Sequence, residues 1–145
     1  MSTPVEVNLI NNDFATVPPP DMLCVGPKGT FHTDIVHLIT AADADLKRGT
    51  LIMTGTTGSG DTAETGFVPA TEAGLGTNAT FAILADPITL ASTENTDIAA
   101  YFEGDFNENA VIFPWETESD DHADIVEAAR GVLRRQKIFL RTVHA

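Results

Sequence analysis

Three acids, Glu103, Asp105 and Glu108, sit within the stretch "AAYFEGDFNENAVIF", Ala99 to Phe113. Carboxylates so close in sequence are the residue type for general acid–base work. That work needs at least one carboxyl perturbed by burial or by a partner charge. The same stretch carries Gly104, Asn107 and Asn109, which are turn formers. A solvated connection across Asp105 to Glu108, between strands at "IAAYFEG" and "NAVIFPW", explains these residues with fewer conditions.

A second cluster is "FHTDIVHL", with His32, Asp34 and His37. Imidazole and carboxylate ligands can hold zinc, and a catalytic zinc keeps three protein ligands. On a strand, His32 and Asp34 share a face and His37 points the other way. On a helix, residues five apart are also poorly aligned, and the spacing matches no standard metal motif. In "ETESDDHAD", five acids surround His122 without the glycine a calcium loop requires. The start of a helix accounts for that run better, because carboxylates suit its positive end.

Nucleophile and phosphate signals are weaker still. "GTTGSGDT" has the glycines of a phosphate loop, but Asp61 follows Gly60 where a lysine would be needed. Ser59 lies in "TGSGD" rather than in a G-x-S-x-G elbow. Cys24, the one cysteine, has no flanking motif and reads as a small apolar residue in an extended segment. The expectation is no catalytic residue, no cofactor and no metal ligand.

The elements that hold these residues can be read from composition and period. The 145 residues make one ordinary domain, and 43% hydrophobic content is enough for a core. With 21 acids against 8 bases the net charge is −13, which disfavours binding to phosphate backbones or anionic membranes. One cysteine excludes an intrachain disulfide. No apolar run approaches the ~18 residues of a membrane span. The N-terminal residues do not resemble a secretion signal, so a cytosolic product, or one assembled into something in the cytosol, is expected.

In "PVEVNLI", Val5, Val7 and Leu9 alternate with Glu6 and Asn8, the period of a strand. Pro18, Pro19 and Pro20 favour a stiff extended spacer. Residues 1–28 therefore read as an extended N-terminal arm, with Val5, Val7, Leu9, Ile10 and Phe14 as its candidate contact residues. Residues 29–145 read as a compact β-rich body. Strands are expected at Thr50 to Thr54, Phe81 to Ala85 and Ile138 to Val143, and Ile35, Val36, Leu38 and Ile39 read as a strand or a short buried run. The Gly/Thr-rich residues 55–80 read as a long loop or a poorly packed hairpin. "SDDHADIVEAARGVLRRQ" gives a helix capped by Ser119, Asp120 or Asp121, with a stripe of Ile125, Ala128, Ala129 and Val132. The fold class is α+β, mainly β, without a βαβ rhythm.

The order of "LKRGTLIMTG", "FAILADPI", "AAYFEGDFNENAVIF" and "ARGVLRRQKIFLRTV" resembles the head decoration proteins of tailed bacteriophages, of the phage lambda type. Tyr101, Gly104 and Phe106 match the family's middle strand, and Ile138, Leu140, Arg141 and Val143 its last. The likeness spans Lys47 to Val143; the sequence departs from the family in its 55–80 segment and in "PWETESDDHAD". The resemblance implies a non-enzymatic cement protein of the virion. It implies a homotrimer on the outer capsid surface at local three-fold positions, clamping the major capsid protein against internal DNA pressure. Within the family the arm orders on the shell. The alternatives are another virion β domain, associated with tail or fibre, or a small metal-dependent hydrolase using His32, Asp34 and His37.

Overall fold

The computed structural model describes residues 22–26, 28–91 and 94–143. The arm residues Val5, Val7, Leu9, Ile10 and Phe14 lie outside the described residues. The described chain is mainly β with a helix near its C-terminus, as its composition and periods predict.

Strand β1 (Cys24–Val25) is short, and β2 (His32–Ile39) follows a brief 3₁₀ turn at Lys28–Thr30. β3 (Ala44–Leu46) pairs with β7 (Ile88–Leu90) in a separate two-stranded ribbon. The main sheet runs β1, β8 (Asn95–Asn107), β2, β5 (Glu64–Pro69), β4 (Leu51–Thr57) and β6 (Phe81–Leu84). β6 also pairs with β8, at Ile83↔Tyr101 and Leu84↔Ala100, so β2, β5, β4, β6 and β8 close into a ring. Helix α1 (His122–Arg134) leads into β9 (Ile138–Arg141), which runs parallel to the end of β8.

Alternation along the strands builds two cores. On β4 and β6, Leu51, Phe81 and Ile83 face the helix, where they join Phe106, Phe113, Val126, Leu133 and Ile138. Ile52, Ala82 and Leu84 face the other way, with Val36, Leu38, Ile98 and Ala100. A strand covered on both faces must be apolar throughout, which is why β6 reads "FAIL" without a polar interruption. Each fully buried Phe or Leu contributes roughly 1.5–3 kcal/mol.

β8 corrects one sequence expectation. The chain does not turn across Asp105 to Glu108; a single strand runs unbroken to Asn107. Its first part pairs with β2 and its end pairs with both β1 and β9. Gly104, which looked like a turn former, adopts φ +146 inside the strand. A Cβ there would fall on the ring of Phe31, within 2.7 Å of its Cε1, so the glycine admits that ring against the sheet. A register shift between His32 and Thr33 places an extra β8 residue at Phe102, a bulge that twists the strand between the two cores. The second expected strand, "NAVIFPW", is a strap with one isolated bridge, Thr50↔Ile112. Its alternation is real, since Val111 and Phe113 are buried and Ile112 is exposed, but it lines the core without a ladder.

Other expectations shift by less. The 55–80 segment contains a paired hairpin, from Ile52↔Pro69 to Thr57↔Glu64, turned at Gly58 with φ +76. α1 is capped by Asp121, whose Oδ1 accepts from Ala123 N at 3.0 Å. Its buried face is Val126, Ala129 and Leu133, one position round from the expected stripe, and Ala128 is exposed. The last strand ends at Arg141 rather than Val143. Leu23 is buried and β1 pairs with β8 at Cys24↔Phe106, so the body begins before residue 28.

Candidate functional site

Glu108 follows directly from β8, and its surroundings decide what the acidic stretch does. Its Oε1 accepts from Arg130 Nη2 at 3.1 Å and from Thr142 Oγ1 at 3.0 Å. Its backbone N–H donates to the carbonyl of Arg141 at 2.9 Å, and its own carbonyl lies 2.8 Å from His122 Nε2. The Arg130 guanidinium, aided by Thr142 and working against burial, holds the Glu108 carboxyl below the usual carboxylate range. A proton donor near neutrality needs the opposite shift. Asp105 faces Arg141 at 3.4 Å, while Glu103 lies opposite His32 in the strand register. The three acids thus diverge, and Glu108 joins the end of β8 to α1 and β9.

Arg130 makes the other half of that junction. Besides Glu108 it reaches the carbonyl of Leu140 at 2.5 Å and Glu127 at 3.0 Å. Leu140 belongs to β9, so a helix side chain occupies a strand carbonyl that would otherwise face outwards. His122 sits about two helical turns earlier, between Glu116 Oε1 and the Glu108 carbonyl, each at 2.8 Å. Burial opposes its charged form; the Glu108 carbonyl and the Glu116 carboxylate outweigh that and raise the ring above its ordinary 6.5. With both nitrogens engaged, this ring is not free to act as a base.

The His32, Asp34 and His37 group is not brought together. His37 contacts Asp97 at 2.9 Å and Glu64 at 3.4 Å. Asp34 Oδ1 accepts from Ile35 N at 2.8 Å, and His32 packs edge-on to Phe102. Hydrogen bonds to the Asp97 and Glu64 carboxylates raise His37 above its ordinary value. Among the described residues, no group of three or more His, Cys, Asp or Glu side chains is placed to hold a metal ion.

Cys24 is half-buried on β1, with its Sγ 3.7 Å from Arg48 Nη2. Arg48 also donates to the carbonyl of Ala85 at 2.8 Å and to the Tyr101 hydroxyl at 3.0 Å. Burial raises the Tyr101 phenol, and Arg48 opposes the shift. Ser59 N–H donates to Thr62 Oγ1 at 3.4 Å in the exposed turn after β4. No described helix is long and apolar enough to cross a membrane.

Two features escaped sequence reasoning. Gln136 receives the Phe81 amide on Oε1 at 2.8 Å and donates from Nε2 to the Ala79 carbonyl at 2.9 Å. It completes β6 as an extra strand residue would, and a polar residue beside an apolar stripe was its only signal. Met22, Ile35 and Ile112 are exposed apolar residues, Ile35 the most so at 62%. β1 stands at the end of the sheet order.

The chain matches no family model. It also matches no curated protein.

Proposed function

We propose that the chain is a capsid decoration protein, a non-enzymatic component of a tailed-phage virion. It sits as a homotrimer on the outer surface of the head, at local three-fold positions. Its partner there is the major capsid protein, and it needs no cofactor, nucleic acid or membrane. The ordered set of segments from Lys47 to Val143 supports this reading. The single observation that carries its mechanism is the place of β1, at the margin of the sheet beside the end of β8.

An arm with Val5, Val7 and Leu9 on one face can add a strand to an open sheet edge on the shell, where main-chain hydrogen bonds supply affinity. Ordering it costs about 1–2 kcal/mol per residue, so one arm binds weakly. Three arms on one trimer gain about 10²–10⁴ by avidity. The net charge of −13 keeps the body off DNA before assembly.

The test is cosedimentation with expanded heads of the phage that carries the gene, alongside sedimentation equilibrium for the trimer. The full chain pellets with heads. A chain lacking residues 1–21 keeps its circular dichroism and melting point but stays in the supernatant. Undiminished binding by the truncated chain removes the arm mechanism, and absence of the protein from purified heads removes the whole reading.

A further inference from the structure

His122 has an acceptor on each ring nitrogen. Nδ1 lies 2.8 Å from Glu116 Oε1, and Nε2 lies 2.8 Å from the Glu108 carbonyl. Neither a carboxylate nor a carbonyl can donate, so each contact requires a ring N–H. A neutral imidazole has only one. The two partners sit at separate points of the strap that joins β8 to α1. Between them the strap sends Val111 and Phe113 into the core and packs Phe113 on Trp115 and on the His122 ring, at centroid distances of 5.3 and 5.6 Å.

We infer that His122 is a proton-operated clasp: doubly protonated, it ties both ends of the strap to the start of α1, and loss of one proton opens the tie to Glu116. The Glu116 side opens first because a side chain can rotate into water, whereas the Glu108 carbonyl is fixed by its neighbours. The backbone N–H of Glu108 is bonded to β9, and its carboxylate is held by Arg130.

The carboxylates and the carbonyl around the ring favour its charged form, against burial and the positive start of α1. Glu108 approaches from the turn after β8, and Glu116 and Glu118 from the strap. Asp121 at the N-cap and Asp124 in the helix's first turn flank the histidine. The cation near it, Arg130, is engaged by Glu108 and Glu127. The clasp therefore stays closed past the ordinary imidazole value of 6.5 and opens as the pH rises further. An open surface depression of about 410 Å³ lies against it, lined by Ile112, Phe113, Glu116, Glu118 and His122 among others, so the released strap end has room to move. This device does not depend on the capsid reading.

The experiment uses the full chain. ¹⁵N correlation spectra of the ring follow its two protons, and hydrogen exchange of residues 113–120 is measured at about pH 6 and about pH 9 and corrected for the intrinsic rate. The expected result is a doubly protonated ring at the lower pH. Strap protection then falls about tenfold at the higher pH, the worth of one hydrogen bond to a charged group. Glu116→Gln offers a donor instead, which a neutral ring can accept on Nδ1 while Nε2–H keeps the Glu108 carbonyl. In that variant protection stays high at both pH values. His122→Phe lowers protection at both. Equal strap protection at the two pH values in the natural chain overturns the inference, as does a pH step that survives in Glu116→Gln. A ring that loses its proton below the ordinary 6.5 overturns it as well.

Discussion

Replacing Arg130 by Met tests whether the Glu108 junction holds the fold together. Met keeps most of the aliphatic stem and removes the guanidinium. Three contacts go with it. The pair with Glu127 spans three helix positions, and that carboxylate is 73% exposed, so its loss costs only a few tenths of a kcal/mol. The pair with Glu108 is more enclosed, at 26% and 15% exposure for the two side chains. Among the described residues, Glu108 would keep only the Thr142 hydroxyl as a side-chain partner, a loss of about 1–2 kcal/mol for a charge-assisted bond. The Leu140 carbonyl, on a residue only 4% exposed, would lose its Arg130 donor at about 1–2 kcal/mol. The total is about 2–4 kcal/mol.

Urea unfolding followed by the fluorescence of Trp115, the single tryptophan, measures this at fixed protein concentration. A double-mutant cycle with Glu108→Gln isolates the pair. The pH dependence adds a second readout. Glu108 binds a proton more readily unfolded than folded, because Arg130 lowers its native value. The stability from the pair is therefore fully present above the ordinary value of 4.5 and is lost as pH falls through the lower native value. Arg130→Met flattens this acid limb. A loss under about 1 kcal/mol, with the acid limb unchanged, would mean that water serves Glu108 and Leu140 as well as Arg130 does, and the junction argument would fail.

Three further substitutions probe elements of the same body. Gly104→Ala meets the Phe31 ring at a φ that L residues rarely adopt, so it should cost about 2–4 kcal/mol, read as a lower urea midpoint. Gln136→Leu strips both bonds that complete β6 and should destabilise by about 2–3 kcal/mol, with faster amide exchange at Phe81. Gly131→Ala adds a methyl group to an exposed helix position with nothing within 4 Å; it should stabilise by about 0.5–1 kcal/mol and raise the melting temperature by a few degrees. A melting point lowered by Gly131→Ala, or unchanged by either of the other two, would contradict the corresponding contact.

The sequence by itself determined the local elements. The unbroken "FAIL" marked β6, the acids before Ile125 placed the start of α1, and Val36, Leu38 and Ile39 narrowed β2 to a strand or a short buried run. These signals act within a strand face or a helix turn, so neighbouring residues carry them in full. The tertiary structure decided which residues meet. Gly104 and Asn107 have the same turn-forming character whether the chain reverses or passes a bulky ring, and only the presence of Phe31 and β9 made β8 continuous. Two apolar stripes on α1 were available, and packing beneath β9 buried the one containing Val126 and Leu133. Arg130 reaches Glu108 from 22 residues away and His122 reaches its carbonyl from 14, separations at which no local period operates. Such pairs exist because closing the sheet and docking the helix bring those atoms within bonding distance.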